Sequence, residues 1–211
     1  MQETVIRNSE ISPGVFLLTF RRPWDFVPGQ VVKVGYGSEQ PPRIYSLCSG
    51  NSSKEAAILF NIKEDGYLTP KLANLVSGDK IEVSKPYGDF TDNDSPAWWI
   101  ATGTGIAPFY SMLRSGASEN KKLIHGVRFL NQFYFESEFE QSLGENYIRC
   151  CSRETGSNVY HGRVSSFLAS LNTLPAVNYY LCGKALMVVE VRDLLISRGI
   201  PFENILSEIY F

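Results

Sequence analysis

The stretch Trp98-Trp99-Ile100-Ala101-Thr102-Gly103-Thr104-Gly105-Ile106-Ala107-Pro108-Phe109 carries the reading of this chain. An apolar run with the character of a buried strand ends in a glycine-rich turn. Pro108 then opens an amphipathic segment, with Phe109, Met112 and Leu113 at helical spacing. Proline suits a first helical turn, where its missing N–H has no partner to lose. Gly103 and Gly105 leave the backbone bare, so a phosphate can approach the N–H groups at the helix start. The spacing is Gly-x-Gly-x-x-Pro, not the dinucleotide fingerprint Gly-x-Gly-x-x-Gly. Taken alone, the stretch is either a phosphate-binding junction or a tight turn of any parallel α/β domain. Its neighbours choose between the two.

At 211 residues the chain is long for one domain and comfortable for two small ones. Its net charge of −2 offers no basic footprint, which argues against a nucleic-acid partner. No apolar run approaches the roughly 20 residues of a membrane helix, and Met-Gln-Glu-Thr-Val-Ile-Arg has no apolar signal core, so a cytoplasmic protein without a membrane partner is expected. Cys48, Cys150, Cys151 and Cys182 match neither zinc nor iron–sulfur spacing. Reduced thiols and no metal are the expectation.

Residues 1–94 read as short strands between turns. Val5, Val15–Phe20, Val31–Val34, Ile44–Leu47, Ala57–Ile62 and Ile81–Val83 are β-rich, and Ser12-Pro13-Gly14, Val27-Pro28-Gly29, Gln40-Pro41-Pro42 and Ser77-Gly78-Asp79 punctuate them. A small barrel or sandwich follows. One helical turn interrupts it, with Thr69 as the cap, Pro70 in first position, and Leu72 and Leu75 facing inward. After Asp92-Asn93-Asp94-Ser95-Pro96 the pattern changes. Strand-like Trp98–Ala101, Leu123–Val127, Tyr147–Cys151 and Asn178–Leu181 alternate with helix-like Phe109–Ser115, Phe133–Leu143, Val164–Leu171 and Ala185–Arg198. Residues 95–211 are therefore expected to form a parallel α/β domain.

Arg43-Ile44-Tyr45-Ser46 puts Arg43 and Tyr45 on one strand face and Ser46 on the other. An Arg fork suits a diphosphate and an aromatic ring two residues on suits a stacked heterocycle; a plain edge strand has the same look. Ser152 and Arg153 follow the Tyr147–Cys151 strand, at the end where open α/β sheets bind ligands. A hydroxyl and a guanidinium suit a ribose 2′-phosphate, whereas a site for the unphosphorylated dinucleotide favours an acidic residue. Tyr160 is close enough in sequence to stack on an adenine, and Arg163 adds charge.

The Arg-x-Tyr-Ser strand, the turn Gly66-Tyr67-Leu68-Thr69 and the loop Gly103-Thr104-Gly105-Ile106-Ala107-Pro108, in that order, resemble the ferredoxin–NADP reductase family. Pro28-Gly29-Gln30, Leu181-Cys182-Gly183 and the ending Glu208-Ile209-Tyr210-Phe211 are similar to further segments of it, and Gly66–Leu72 looks like its compact bacterial members. The resemblance implies an FAD-binding antiparallel β-barrel over residues 1–94 and a Rossmann-like NADP-binding parallel sheet over 95–211. It also implies roles. Arg43 contacts the flavin diphosphate, completed by the backbone at Gly66, Leu68 and Thr69. Tyr45 packs on the isoalloxazine and Ser46 bonds near N5. Thr102, Gly103, Thr104, Gly105 and Pro108 cradle NADP, with Ser152, Arg153, Tyr160 and Arg163 at its 2′-phosphate and adenine. Cys182 and Gly183 adjoin the nicotinamide, and the Cys182 thiol orients that ring without acting as a nucleophile. Glu208 and Tyr210 complete the catalytic set; Tyr210 stacks on the flavin face that nicotinamide needs, and Phe211 packs beyond it.

The implied activity is electron transfer between NADPH and an acidic carrier, ferredoxin or flavodoxin, by a monomeric enzyme. Lys33, Lys63, Lys71, Lys85, Lys121 and Lys122 are candidates for a basic docking rim. Two alternatives share the fold: the reductase component of an oxygenase or a flavin reductase, and a non-catalytic flavin-binding electron-transfer subunit. The presence of Gly103–Pro108, Ser152, Arg153 and Cys182 together favours an enzyme.

Overall fold

Pairs of large apolar residues two apart build the first sheet. Leu18 and Phe20, Val32 and Val34, Ile58 and Phe60, and Ile81 and Val83 all enter one apolar core, because alternate residues of a strand share a face. The strands are β1 (Gln2–Ser12), β2 (Val15–Arg21), β3 (Val31–Gly35), β4 (Arg43–Ser46), β5 (Glu55–Asn61) and β6 (Lys80–Val83). The computed structural model, which describes residues 1–37 and 40–210, orders them β4-β3-β6-β1-β2-β5, antiparallel throughout. Just beyond β4, Leu47 bridges Ile58 of β5 and the Cys48 N–H donates to the Ala57 carbonyl at 2.7 Å. The two edges thus meet and the sheet closes into a barrel.

The helical turn α1 (Thr69–Ala73) differs from expectation at its start. Leu68 holds the cap position with no side-chain bond, Thr69 is already helical, and Pro70 is second. The Thr69 hydroxyl is turned instead across the preceding loop, accepting the Lys63 N–H at 2.8 Å. Five residues are too few to hold a helix alone. Two features fix it: Leu72 is fully buried, and the Asn8 side-chain amide donates to the carbonyls of Leu72, Ala73 and Leu75 at 2.9, 3.1 and 3.1 Å.

The chain divides into two units, residues 1–91 with 107–116 and residues 92–106 with 117–211. Helix α2 (Ala107–Arg114) belongs to the first. Ser111 Oγ donates to the Ser49 carbonyl at 2.7 Å, and Phe109 packs edge-on against Phe90 at 5.8 Å. Gly29 (φ +98°) lets the chain pass: a Cβ there lies 2.0 Å from the Phe90 carbonyl oxygen and 2.7 Å from Met112 Cε. Every residue from Ala107 to Leu113 is buried.

The second unit is built on a parallel sheet. Its elements are β7 (Ala97–Thr102), β8 (Lys121–Val127), α3 (Glu136–Leu143), β9 (Tyr147–Cys151), β10 (Val159–His161), α4 (Val164–Ser170), β11 (Asn178–Lys184), α5 (Ala185–Ser197) and β12 (Ile205–Tyr210). The order is β10-β9-β8-β7-β11-β12. Ile100, Ile124, Tyr179 and Leu181 pack against Val164 and Leu168 of α4 and Val188, Val191 and Leu195 of α5. The strand order reverses between β7 and β11, which places a binding crevice at their carboxyl ends. Strands β10 and β12 lie outside the sequence-based strand list, and α3 starts later than expected because Phe135 takes a left-handed conformation (φ +60°).

Lys121 corrects the expected docking rim. It is buried at the start of β8, paired with Asp92 at 2.8 Å and donating to the Ser95 carbonyl at 2.6 Å. Among the described residues no helix is long and apolar enough to cross a membrane, and no acidic, His or Cys cluster fits a metal ion.

Candidate functional site

In the second unit the candidate residues gather at the carboxyl ends of the strands. Thr102 ends β7, and Gly103–Ile106 form a 3-10 turn directly after it. The two glycines of the loop serve different purposes. Gly103 has φ +57° and open space where a Cβ would stand, so it supplies the bare backbone that a phosphate can approach. Gly105 is a packing requirement: a Cβ there lies 2.4 Å from the Cys182 carbonyl oxygen. Gly183 answers from β11, with φ +144° and a Cβ position 2.3 Å from Thr102 Oγ1. The ends of β7 and β11 are thus interlocked through backbone. Thr102 Oγ1 is buried without a hydrogen-bond partner beside this turn, a polar atom that a bound nucleotide can satisfy.

Cys182 sits between Ala101 of β7 and Glu208 of β12 in the sheet register. Its thiol is fully buried and lies 3.9 Å from Glu208 Oε2. Burial, and then the Glu208 carboxylate, push the thiol well above its ordinary range. A thiol so held stays protonated, which suits a group that orients a ring and does not attack it. Tyr210 lies two residues beyond Glu208, paired with Lys184 and half-buried. Phe211 lies outside the described residues.

At the ends of β8 and β9 the loops are laced together. The Ser152 N–H donates to the Val127 carbonyl at 3.1 Å, and the Arg153 N–H to the Arg128 carbonyl at 3.0 Å. The Arg153 and Arg163 side chains are exposed, and Arg163 occupies the cap position of α4. Tyr160 is half-buried, edge-on to Phe167 at 5.3 Å. The sequence reading passes over Arg128. It is exposed, follows β8 as Ser152 and Arg153 follow β9, and that shared place after a strand end is the signal that finds it.

In the first unit, Arg43 at the start of β4 is exposed and Ser46 at its end is buried. Between them the half-buried Tyr45 lies edge-on to Phe60 at 6.3 Å. Burial pushes the Tyr45 hydroxyl up to about 12, against the opposing pull of Arg43, so it is a neutral hydrogen-bonding group. Gly66 makes a tight turn, its N–H donating to the Lys63 carbonyl at 2.8 Å and its Cβ position 2.9 Å from that oxygen. Leu68 is buried and leads into α1. Lys71 places its ammonium 3.8 Å from the centroid of the Tyr67 ring.

These features define a two-unit protein of barrel plus nucleotide-binding α/β sheet. Residues 99–193 match the oxidoreductase NAD-binding domain. A flavodoxin/ferredoxin–NADP reductase from Buchnera aphidicola subsp. Baizongia pistaciae is 30% identical, over 92% of this chain and 84% of its own length. The chain belongs to the flavodoxin/ferredoxin–NADP reductase family. A phenol hydroxylase P5 protein from Acinetobacter pittii is 29% identical over 98% of this chain and 65% of its own length. A ferredoxin NADP+ reductase structure from Neisseria gonorrhoeae with bound FAD and NADP has a TM-score of 0.91 at 21% identity, covering 100% of this chain and 98% of that one, and shares the fold.

Proposed function

We propose that this chain is an NADPH-dependent flavoenzyme that exchanges electrons with ferredoxin or flavodoxin. The observation that carries the nucleotide half is the interlocked β7–β11 end, with Gly103 bare and Thr102 Oγ1 unsatisfied beside it. Thr102, Gly103 and Thr104 hold the nucleotide backbone there, while Gly105, Gly183 and Pro108 set the chain path. Ser152 and Arg153, with Arg128 and Arg163 nearby in the fold, supply hydroxyl and guanidinium groups for a 2′-phosphate, and Tyr160 offers a ring to adenine. Cys182 and Glu208, neighbours in the register, orient the nicotinamide. Arg43, Tyr45, Ser46 and the Gly66–Thr69 turn hold FAD, whose diphosphate finds a cation in the exposed Arg43. A bound FAD would supply the exchange between two-electron hydride chemistry and one-electron transfer. Tyr210 yields its place to the nicotinamide during turnover, and Phe211 extends the same segment.

The acidic carrier docks on exposed lysines, from which Lys121 is now removed. The enzyme works as a monomer in a reducing, cytoplasmic setting, where its four buried cysteines stay free thiols. The phenol hydroxylase relative favours a second reading, the reductase component of an oxygenase, on the same cofactor chemistry. Visible spectra of the purified protein before and after anaerobic NADPH test the cofactors, and reduction of purified ferredoxin and flavodoxin tests the carrier. Flavin bands that bleach with NADPH, together with carrier reduction, are expected. Absence of flavin, or bleaching with no reduction of either carrier, rejects the first reading.

A further inference from the structure

The carboxylate of the exposed Glu154 reaches across to the loop that follows β8. Its Oε2 accepts the Leu130 N–H at 2.6 Å, at the first residue of the 3-10 turn that follows β8. The Glu154 carbonyl meets His161 Nδ1, at the end of β10, at 3.1 Å. One residue earlier, the Arg153 N–H is held by the Arg128 carbonyl. One residue later in space, the Gly162 N–H donates to the Cys151 carbonyl at 2.8 Å. Residue 154 is therefore the point where the rims of β8, β9 and β10 are tied together.

We propose that Glu154 is a positioning residue for nucleotide selectivity: its carboxylate ties the loop after β9 to the loop after β8 and so holds Arg153 in reach of the 2′-phosphate. The inference rests on the reading of Ser152 and Arg153 as the 2′-phosphate site. Arg153 has an exposed side chain, so its direction depends on the backbone that carries it. That backbone is gripped by its own N–H on one side and by the side chain of the next residue on the other. A side-chain oxygen bonded to a backbone N–H is a specific local tie, and a neutral amide oxygen can make it as well as a carboxylate. An acidic residue at such a place otherwise suggests a ligand for ribose hydroxyls. Here one carboxylate oxygen is engaged with the Leu130 N–H.

The bond can be removed from either side. Glu154→Ala deletes the acceptor. Leu130→Pro deletes the donor at a first turn position, where proline is tolerated, and the preceding Phe129 is extended (φ −126°, ψ 149°), as proline requires. Glu154→Gln keeps an acceptor oxygen and removes the charge. With the flavin-loaded protein, Glu154→Ala and Leu130→Pro are each expected to raise KM for NADPH by about tenfold and to leave KM for NADH within about twofold, while Glu154→Gln stays near the parent. Combining Glu154→Ala with Leu130→Pro is expected to add nothing further. Arg153→Ala runs alongside. If Arg153→Ala weakens NADPH selectively and Glu154→Ala does not, the positioning role is wrong and the phosphate site stands. If Arg153→Ala affects NADPH and NADH equally, the phosphate site itself is wrong, and the role falls with it. Equal losses in Glu154→Ala and Glu154→Gln show that charge matters and not the bond, and also overturn the proposal. Should Glu154→Ala not fold, the pair Leu130→Pro and Glu154→Gln decides by the same criteria.

Discussion

Gly105 and Cys182 approach so closely that a Cβ at Gly105 lies 2.4 Å from the Cys182 carbonyl oxygen and 2.6 Å from its carbonyl carbon. The contact is backbone against backbone, so no rotamer change relieves it. Gly105→Ala must push the β7 turn away from β11 and cost about 1–3 kcal/mol, as overpacked sites do. Gly103→Ala meets only open space and pays in left-handed backbone strain, on the order of 1 kcal/mol. Thermal unfolding is expected to rank Gly105→Ala as the more damaging to stability, whereas titration with NADP+ is expected to show Gly103→Ala weakening binding directly, because its Cβ occupies the space a phosphate approaches. The reverse ranking removes the interlock as the reason for the second glycine.

Asn8 and α1 supply a second test. One amide nitrogen serves three carbonyls at the end of a helix too short to stand alone. Asn8→Ala is expected to cost about 1–3 kcal/mol by removing the side-chain donor from these carbonyls, of which that of Leu72 keeps the Leu75 N–H. Asn8→Asp is expected to cost more, because a carboxylate then faces carbonyl oxygens. Hydrogen exchange at the Leu72 and Leu75 amides, which bond within this turn, reports it locally. Protection unchanged from the parent in Asn8→Ala shows that burial of Leu72 alone holds α1.

The particular elements show what a sequence can disclose here. β9 is legible residue for residue, since Tyr147–Cys151 is a short β-rich run bounded by the polar Glu145-Asn146 and Ser152, and α5 differs from Ala185–Arg198 only at its last residue. β12 is not legible, because Ile205–Tyr210 mixes Ser207 and Glu208 into an edge strand paired on one side only. β10 has three residues and no period to detect. Ser152 and Arg153 are legible because a strand end fixes where they stand. The packing duty of Gly105 is not, since Cys182 and Gly183 are distant in sequence and only the parallel register brings them together. Lys121 misleads for a similar reason: a lysine beside Lys122 looks like surface until Asp92 is brought to it.

That pair makes a third prediction. Lys121 and Asp92 are both buried, with side chains 2% and 8% exposed. Lys121→Met alone leaves a buried carboxylate without its cation and is expected to destabilise by about 3–5 kcal/mol. Replacing both, as Lys121→Met with Asp92→Leu, is expected to recover much of the loss, because the desolvation cost of the pair disappears with it. Urea unfolding of the single and double variants forms the cycle. A Lys121→Met loss no larger than that of a surface substitution rules out this pair as what pins residues 92–95 to β8.

His125 makes the last, in the pH dependence of stability. Its ring is fully buried on β8, with Nδ1 3.0 Å from the Tyr147 hydroxyl and its face edge-on to Phe133 at 5.3 Å. Nε2 is buried without a partner, so the doubly protonated ring would bury an N–H with nothing to accept it. Burial accordingly lowers its pKa from 6.5 to about 3. In the unfolded chain the ring takes up its proton near its ordinary value. Between pH 6.5 and about 3 the unfolded state therefore binds more protons at this site than the folded one. The contribution is fully present above 6.5 and is lost as pH falls through that window, with a limiting slope of about 1.4 kcal/mol per pH unit. His125→Leu carries no such group. Whatever it costs at pH 7.5 through the orphaned Tyr147 hydroxyl, its stability is expected to fall less steeply than the parent's between pH 7 and pH 5. Denaturant unfolding of both proteins across that range measures the difference in slope, which cancels the carboxylates they share. The His125 ring signals in NMR are expected to stay at their neutral positions to about pH 4. Parallel slopes, or a His125 titration near 6.5, remove His125 as a source of acid sensitivity.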